Sequence, residues 1–184
     1  CEAGKKDEQI AWGMHCLCNA LRFLHEDCRV SHSNMCTDAV FVTASGDWKL
    51  GALDLLGPID GSDPFLQLHD DVQPRGFRSP ERMQRDWRGL GTDPIHCMDI
   101  WALGTLLEEV YPEGLPDSLQ KYVTRMHAAA KKRPTAAQYL RCAFLKRPVV
   151  SGLEFLDAMA VKTAAEKAAF IEELRLDIYA KQVL

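Results

Sequence analysis

Between Asp93 and Tyr111 the apolar residues Ile95, Met98, Ile100, Trp101, Leu103, Leu106, Leu107 and Val110 leave no polar face in the first half of the segment. A surface helix carries an apolar stripe, whereas one that is apolar all round must be enclosed by protein. The spacing predicts a helix over 93–111 that is buried on nearly all sides, so the other elements have to wrap around it. One acid, Asp99, lies inside this run. A buried carboxylate must be satisfied by donors. Asp99 therefore either binds backbone N–H groups of a neighbouring loop or serves as a catalytic acid.

The composition permits such a core. The chain has 184 residues, 47% hydrophobic and 26% charged, enough for one domain or one and a fraction. A net charge of -4 and a pI near 5.9 give no global electrostatic reason to bind nucleic acid or an anionic membrane. Seven cysteines occur without a C-x-x-C pair or clustered histidines, which fits reduced thiols of cytosol or nucleus rather than a metal site. There is no signal peptide and no apolar run long enough to cross a bilayer, so membrane insertion is not expected. The chain opens at Cys1, without methionine and almost directly into a helix, which suggests a piece of a longer protein.

Ahead of the central segment, Ile10, Met14, Leu17, Leu21 and Leu24 mark one face of a helix from Asp7 to about Asp27, with Asp7 as N-cap. His15 and His25 read there as surface or partly packed residues. Next, Val40–Val42 and Trp48–Leu50 flank the turn Ala44-Ser45-Gly46-Asp47, a hairpin set between the loops 31–39 and 51–54. The stretch from Gly57 to Gly76, with aspartates at 60, 63, 70 and 71, reads as a solvated acidic loop. Arg75, Arg78, Arg82, Arg85 and Arg88 follow closely. They form either a patch for phosphate or an acidic partner, or a solvated face paired locally with Asp and Glu.

Beyond the central helix, Leu115 to Ala130 reads as a further helix entered through Pro116-Asp117-Ser118. Thr135 and Gln138 have the spacing of a capping box that opens a short helix ending near Leu145. The composition changes at Lys146-Arg147-Pro148, the expected boundary between residues 1–147 and 148–184. Two more capping boxes, Ser151 with Glu154 and Thr163 with Glu166, open two helices there. The second carries Phe170, Ile171, Leu174 and Ile178, a stripe that needs a covering partner.

Taken in order, these elements resemble the lower, mostly helical lobe of the protein kinase fold over about Asp7 to Leu145. His32-Ser33-Asn34 stands where H-R-D would be, Ala52-Leu53-Asp54 where D-F-G would be, and Ser79-Pro80-Glu81 where A-P-E would be. Asp99-Ile100-Trp101-Ala102-Leu103-Gly104 resembles D-x-W-S-L-G, and Arg133-Pro134-Thr135 the arginine that pairs with the A-P-E glutamate. The resemblance implies a structural set of His32, Glu81, Asp99, Trp101 and Arg133. It also implies that the catalytic aspartate, the lysine, the magnesium-binding asparagine and the metal-binding aspartate are replaced by Asn34, Cys36, Ala39 and Ala52. The upper lobe with its glycine-rich loop is not in this chain. The short link from Tyr111 to Pro116 leaves little room for the helix that kinases insert there, so docking through that helix is not expected.

Trp48-Lys49-Leu50-Gly51 ahead of Ala52-Leu53-Asp54, the non-acidic loop at His32 and the helix from Val161 to Phe170 are most similar to the SCY-like family of pseudokinases. The implied architecture is mostly α: a kinase-like C-terminal lobe with a small β-hairpin over 1–147, then the start of HEAT-like repeats over 148–184. The implied function is that of an inactive scaffold or adaptor, with no cofactor or metal. Its implied setting is Golgi–ER vesicle traffic with coatomer, or nuclear export of transfer RNA, at a cytoplasmic, Golgi-associated or nuclear-envelope location. A divergent kinase or nucleotide-binding switch using Asp38 or Asp54 is the alternative. Oligomeric state is not legible.

Overall fold

The computed structural model describes residues 2–58 and 64–182. At its centre helix α5, Cys97–Val110, buries Cys97, Met98, Asp99, Ile100, Ala102, Leu103, Gly104, Leu106 and Leu107. The expected start at Asp93 is corrected by one turn. Asp93 precedes Pro94, whose ring disfavours helical backbone at the residue before it, and the Cys97 N–H bonds the Pro94 carbonyl in a turn ahead of the helix.

Helix α1 runs from Glu2 to Arg22 and continues as a π-helical turn, Phe23–Asp27. It begins before Asp7, so Asp7 is not its N-cap. That carboxylate instead accepts hydrogen bonds from the Tyr111 hydroxyl at 2.8 Å and from Arg147 at 3.2 Å. Ile10, Met14, Leu17 and Leu21 are buried as their spacing predicts. Each such side chain removed from water contributes roughly 1.5–3 kcal/mol. Strands β1, Val40–Val42, and β2, Trp48–Leu50, pair antiparallel with Val40 opposite Leu50 and Val42 opposite Trp48. At the turn Gly46 takes φ +89°, which a side chain would resist. Strand β2 lies on α1, where a Cβ at Gly13 would sit 2.1 Å from the Trp48 ring, and Trp12 donates to Asp47 at 2.9 Å.

The segment after the hairpin is not a simple loop. It contains α2, Pro64–Leu68, and 3-10 turns at Asp70–Val72 and Arg75–Phe77, then α3, Pro80–Met83, and α4, Trp87–Leu90. Asp60 and Asp63 lie outside the described residues. Leu55, Leu66, Leu90, Cys97, Met98 and Ala130 make a second apolar cluster under this segment. Helix α6, Asp117–Met126, packs on α5 through Leu119, Val123 and Met126. Helix α7, Ala136–Tyr139, is opened by the reciprocal Thr135–Gln138 capping box.

The chain divides into two compact units, Cys1–Arg147 and Pro148–Leu184. The second holds α8, Pro148–Asp157, and α9, Ala164–Gln182. Ser151 lies inside α8, so the expected capping box with Glu154 does not open that helix; Pro148, suited to a first turn, begins it. Thr163 and Glu166 do exchange cap bonds at α9, and the Thr163 N–H and hydroxyl hold the Glu166 carboxyl down to about 2. Phe155 stacks on Phe170 at 4.1 Å, while Ile171 and Leu174 are exposed. The side chain of Ile178 lies outside the described set. Among the described residues no helix is long and apolar enough to cross a membrane.

Candidate functional site: a loop frame held by buried charge

Asp99 is 1% exposed and binds the loop at residues 31–33. Its Oδ2 accepts from the His32 N–H at 2.8 Å and the Ser31 hydroxyl at 2.9 Å, and lies 2.8 Å from His25 Nε2; its Oδ1 accepts from the Ser33 N–H at 2.8 Å. Burial pushes the carboxyl up, but the His25 hydrogen bond and charge, the His32 charge and the His32 N–H outweigh it and hold Asp99 at about 2. Ser33 sits at φ +59°, a conformation costly for a residue with a Cβ, and it is fixed from both sides. Asp99 takes its N–H, and Arg82 donates to its carbonyl.

The second loop is tied to the first. His32, fully buried, places Nε2 2.8 Å from the Gly51 carbonyl, and Asn34 Nδ2 donates to the Ala52 carbonyl at 3.3 Å. Ala52 is itself left-handed at φ +54°. Asn34 Oδ1 is buried without a hydrogen-bond partner among the described residues. Ala39 is buried, and burial raises the Cys36 thiol pKa, so a neutral group occupies that position. Asp38 and Asp54 are both exposed, on 3-10 turns beside these loops.

A second buried charge system clamps the frame from below. Arg82 is fully buried; its Nε donates to Asp70 at 2.6 Å and its Nη1 to the Ser33 carbonyl and to Gln73 Oε1 at 2.7 Å. Burial lowers the Arg82 pKa while Asp70 opposes the shift. Gln73 in turn donates to the Met35 carbonyl at 2.8 Å. This corrects the expected five-arginine surface. Arg82 is in the interior, Arg78 is 14% exposed and bonded to Gln73 and Asp70, and only Arg75, Arg85 and Arg88 remain exposed. It also corrects the acidic loop, since Asp70 is 4% exposed. The sequence displays arginine spacing but not the distant carbonyls and carboxylate that draw one of them inward.

Arg133 Nη2 donates to both carboxylate oxygens of Glu81, at 2.8 and 3.0 Å. Arg133 also donates to the carbonyls of Cys97 and Ala128 and lies 4.9 Å over the Trp101 ring. His32, Asp99 and the Ser33 carbonyl therefore meet at one frame, and Glu81, Trp101 and Arg133 at a neighbouring one on α5. Sequence reasoning missed His25, Ser31, Asp70 and Gln73. Nothing in the sequence separates these four from surface polar residues. Among the described residues no group of three or more His, Cys, Asp or Glu could hold a metal ion.

Fold and site together define a mostly α-helical protein with one small antiparallel hairpin, whose loops hang on buried carboxylate and guanidinium groups. No protein-family model matches the chain. It is 28% identical over 182 residues to the "Probable inactive serine/threonine-protein kinase scy1" of Dictyostelium discoideum, covering 91% of this chain and 22% of that protein. It is 27% identical over 176 residues to the "Protein-associating with the carboxyl-terminal domain of ezrin" of Mus musculus, covering 90% of this chain and 24% of that protein. The resemblance to the SCY-like family is borne out by these relatives, of whose length the chain spans about a quarter. The first of these relatives is named as a probable inactive kinase.

Proposed function

We propose that residues 1–147 are a kinase-like lobe kept as a support after its chemistry was lost, and that 148–184 begin a HEAT-like array. One observation carries the reading. Asp99 and Arg82 pin Ser31, His32 and Ser33 of the loop 31–39, yet that loop and the loop 51–54 carry Asn34, Cys36, Ala39 and Ala52 where the resemblance places the chemical groups. An amide cannot accept a proton as a carboxylate does, and alanine offers no oxygen to a cation. Ala39 and Ala52 leave Asn34 Oδ1 as the one side-chain oxygen among these four residues, too few for a magnesium site, while its NH₂ donates to the Ala52 carbonyl.

On this reading the protein works by holding partners. Similarity to SCY-like proteins favours a cytoplasmic adaptor in Golgi–ER traffic, bound to coatomer, or one in transfer RNA export at the nuclear envelope. The test is thermal unfolding of the full-length protein with ATP, with and without magnesium, beside a phosphoryl-transfer assay. We expect no magnesium-dependent rise in Tm and no transfer. A clear rise would favour a nucleotide-binding switch and sink the inert scaffold. Charge reversal at Arg75, Arg85 and Arg88 separates the roles, because transfer RNA binding through them would fall steeply with salt whereas coatomer capture elsewhere would persist.

A further inference from the structure

Between α6 and α7 lies a half-open cavity of about 200 Å³ lined by Tyr122, Arg125, Pro134, Gln138, Tyr139, Arg141 and Cys142. No acid lines it, and its polar groups are left as donors. Gln138 Oε1 already accepts the Thr135 N–H in the capping box, which leaves the side-chain NH₂ to donate. Tyr122 Oη accepts the Ala143 N–H at 3.3 Å, leaving its own proton. Among the described residues neither Arg125 nor Arg141 has a hydrogen-bond or ion-pair partner, and both are exposed. Tyr122 and Tyr139 meet edge to face at 5.8 Å and make an aromatic wall. Burial raises the Cys142 thiol and the Tyr139 hydroxyl pKa, so neither adds negative charge.

The surroundings share this sign. From Asp117 to Arg147 the only acid is Asp117, whereas Lys121, Arg125, Lys131, Lys132, Arg141 and Lys146 are exposed, in a chain whose net charge is -4. The cavity is smaller than the roughly 300–1,000 Å³ of sites for drug-sized molecules, so it suits one chemical group. Two guanidiniums match the charge of roughly -1.5 to -2 on a phosphate monoester, where a carboxylate would use one fork. We propose that this cavity binds the phosphate of a phosphorylated side chain on a partner protein. An inositol headgroup with several phosphates exceeds the space, and a nucleic-acid backbone needs a groove rather than a one-group recess. This assignment is independent of the loss of phosphoryl transfer.

The experiment measures binding of phenyl phosphate and a phosphoserine peptide to the full-length protein, with the unphosphorylated peptide, inositol phosphates and a short RNA as further arms. Binding of both monoesters and not of the unphosphorylated peptide is expected. R125Q/R141Q should weaken it at least tenfold with an unchanged Tm, and R75Q/R88Q should leave it unaltered. Failure of both monoesters to bind, or equal binding by R125Q/R141Q, overturns the site. Tighter binding of inositol phosphates or RNA, lost in R125Q/R141Q, overturns the phosphoprotein assignment in favour of a membrane or nucleic-acid ligand.

Discussion

At the scale of single residues, Asn34 ties the first loop of the frame to the second. Its amide donates to the Ala52 carbonyl, a bond a carboxylate cannot make. Replacing it with the aspartate of an active kinase would set a buried negative charge against that carbonyl. Asn34→Asp is therefore expected to lower stability by about 2 kcal/mol, read as a fall in the urea midpoint at pH 7. Unchanged stability would mean that the amide does not hold the two loops together. The identity of Asn34 was plain in the sequence, and its role against H-R-D came from the resemblance. Its tie to Ala52 was not legible, because the left-handed turn that aims that carbonyl forms only in the folded chain.

At the scale of elements, the contact between α1 and β2 decides where the hairpin sits. Gly13 lets the Trp48 ring lie against the helix backbone, and Trp12 reaches the turn at Asp47. Gly13→Ala would gain about 1 kcal/mol of helix propensity but force the indole outward, with a net loss of roughly 1–3 kcal/mol expected by chemical denaturation. A stabilised variant would show that Trp48 is not packed there. The hairpin was legible to the residue, since alternation and the Ser-Gly turn act locally. The starts of α1 and α8 are displaced because the cap-like residues Asp7 and Ser151 lie inside longer helices, and that of α5 because the chain around Pro94 makes a turn before Cys97.

At the scale of the whole molecule, acid should act through Asp99. Its carboxyl is held at about 2 in the fold against an ordinary value of 3.8, so the unfolded chain takes up a proton first as pH falls. The stabilisation is fully present above about pH 4 and is lost progressively between about pH 4 and pH 2, worth on the order of 2 kcal/mol. Denaturation followed from pH 6 to pH 2 should show this slope, and Asp99→Asn should lower stability at pH 7 by about 3 kcal/mol and flatten the slope. An Asp99→Asn variant that keeps the full acid slope would place its origin in other carboxylates.

The sequence by itself determined a buried central helix, the hairpin and its turn, the Thr135 and Thr163 caps, and the resemblance to a kinase-like lobe without its chemical residues. Those features rest on local periodicity and on short motifs, which a linear chain displays directly. Only the tertiary structure decided that Arg82 is interior, that Asp70 and Gln73 serve it, that His25 joins Asp99, and that Arg125 and Arg141 share one cavity. Each depends on groups that the fold brings together from separate segments, and a side chain's spacing carries its charge but not the partner that will desolvate or satisfy it.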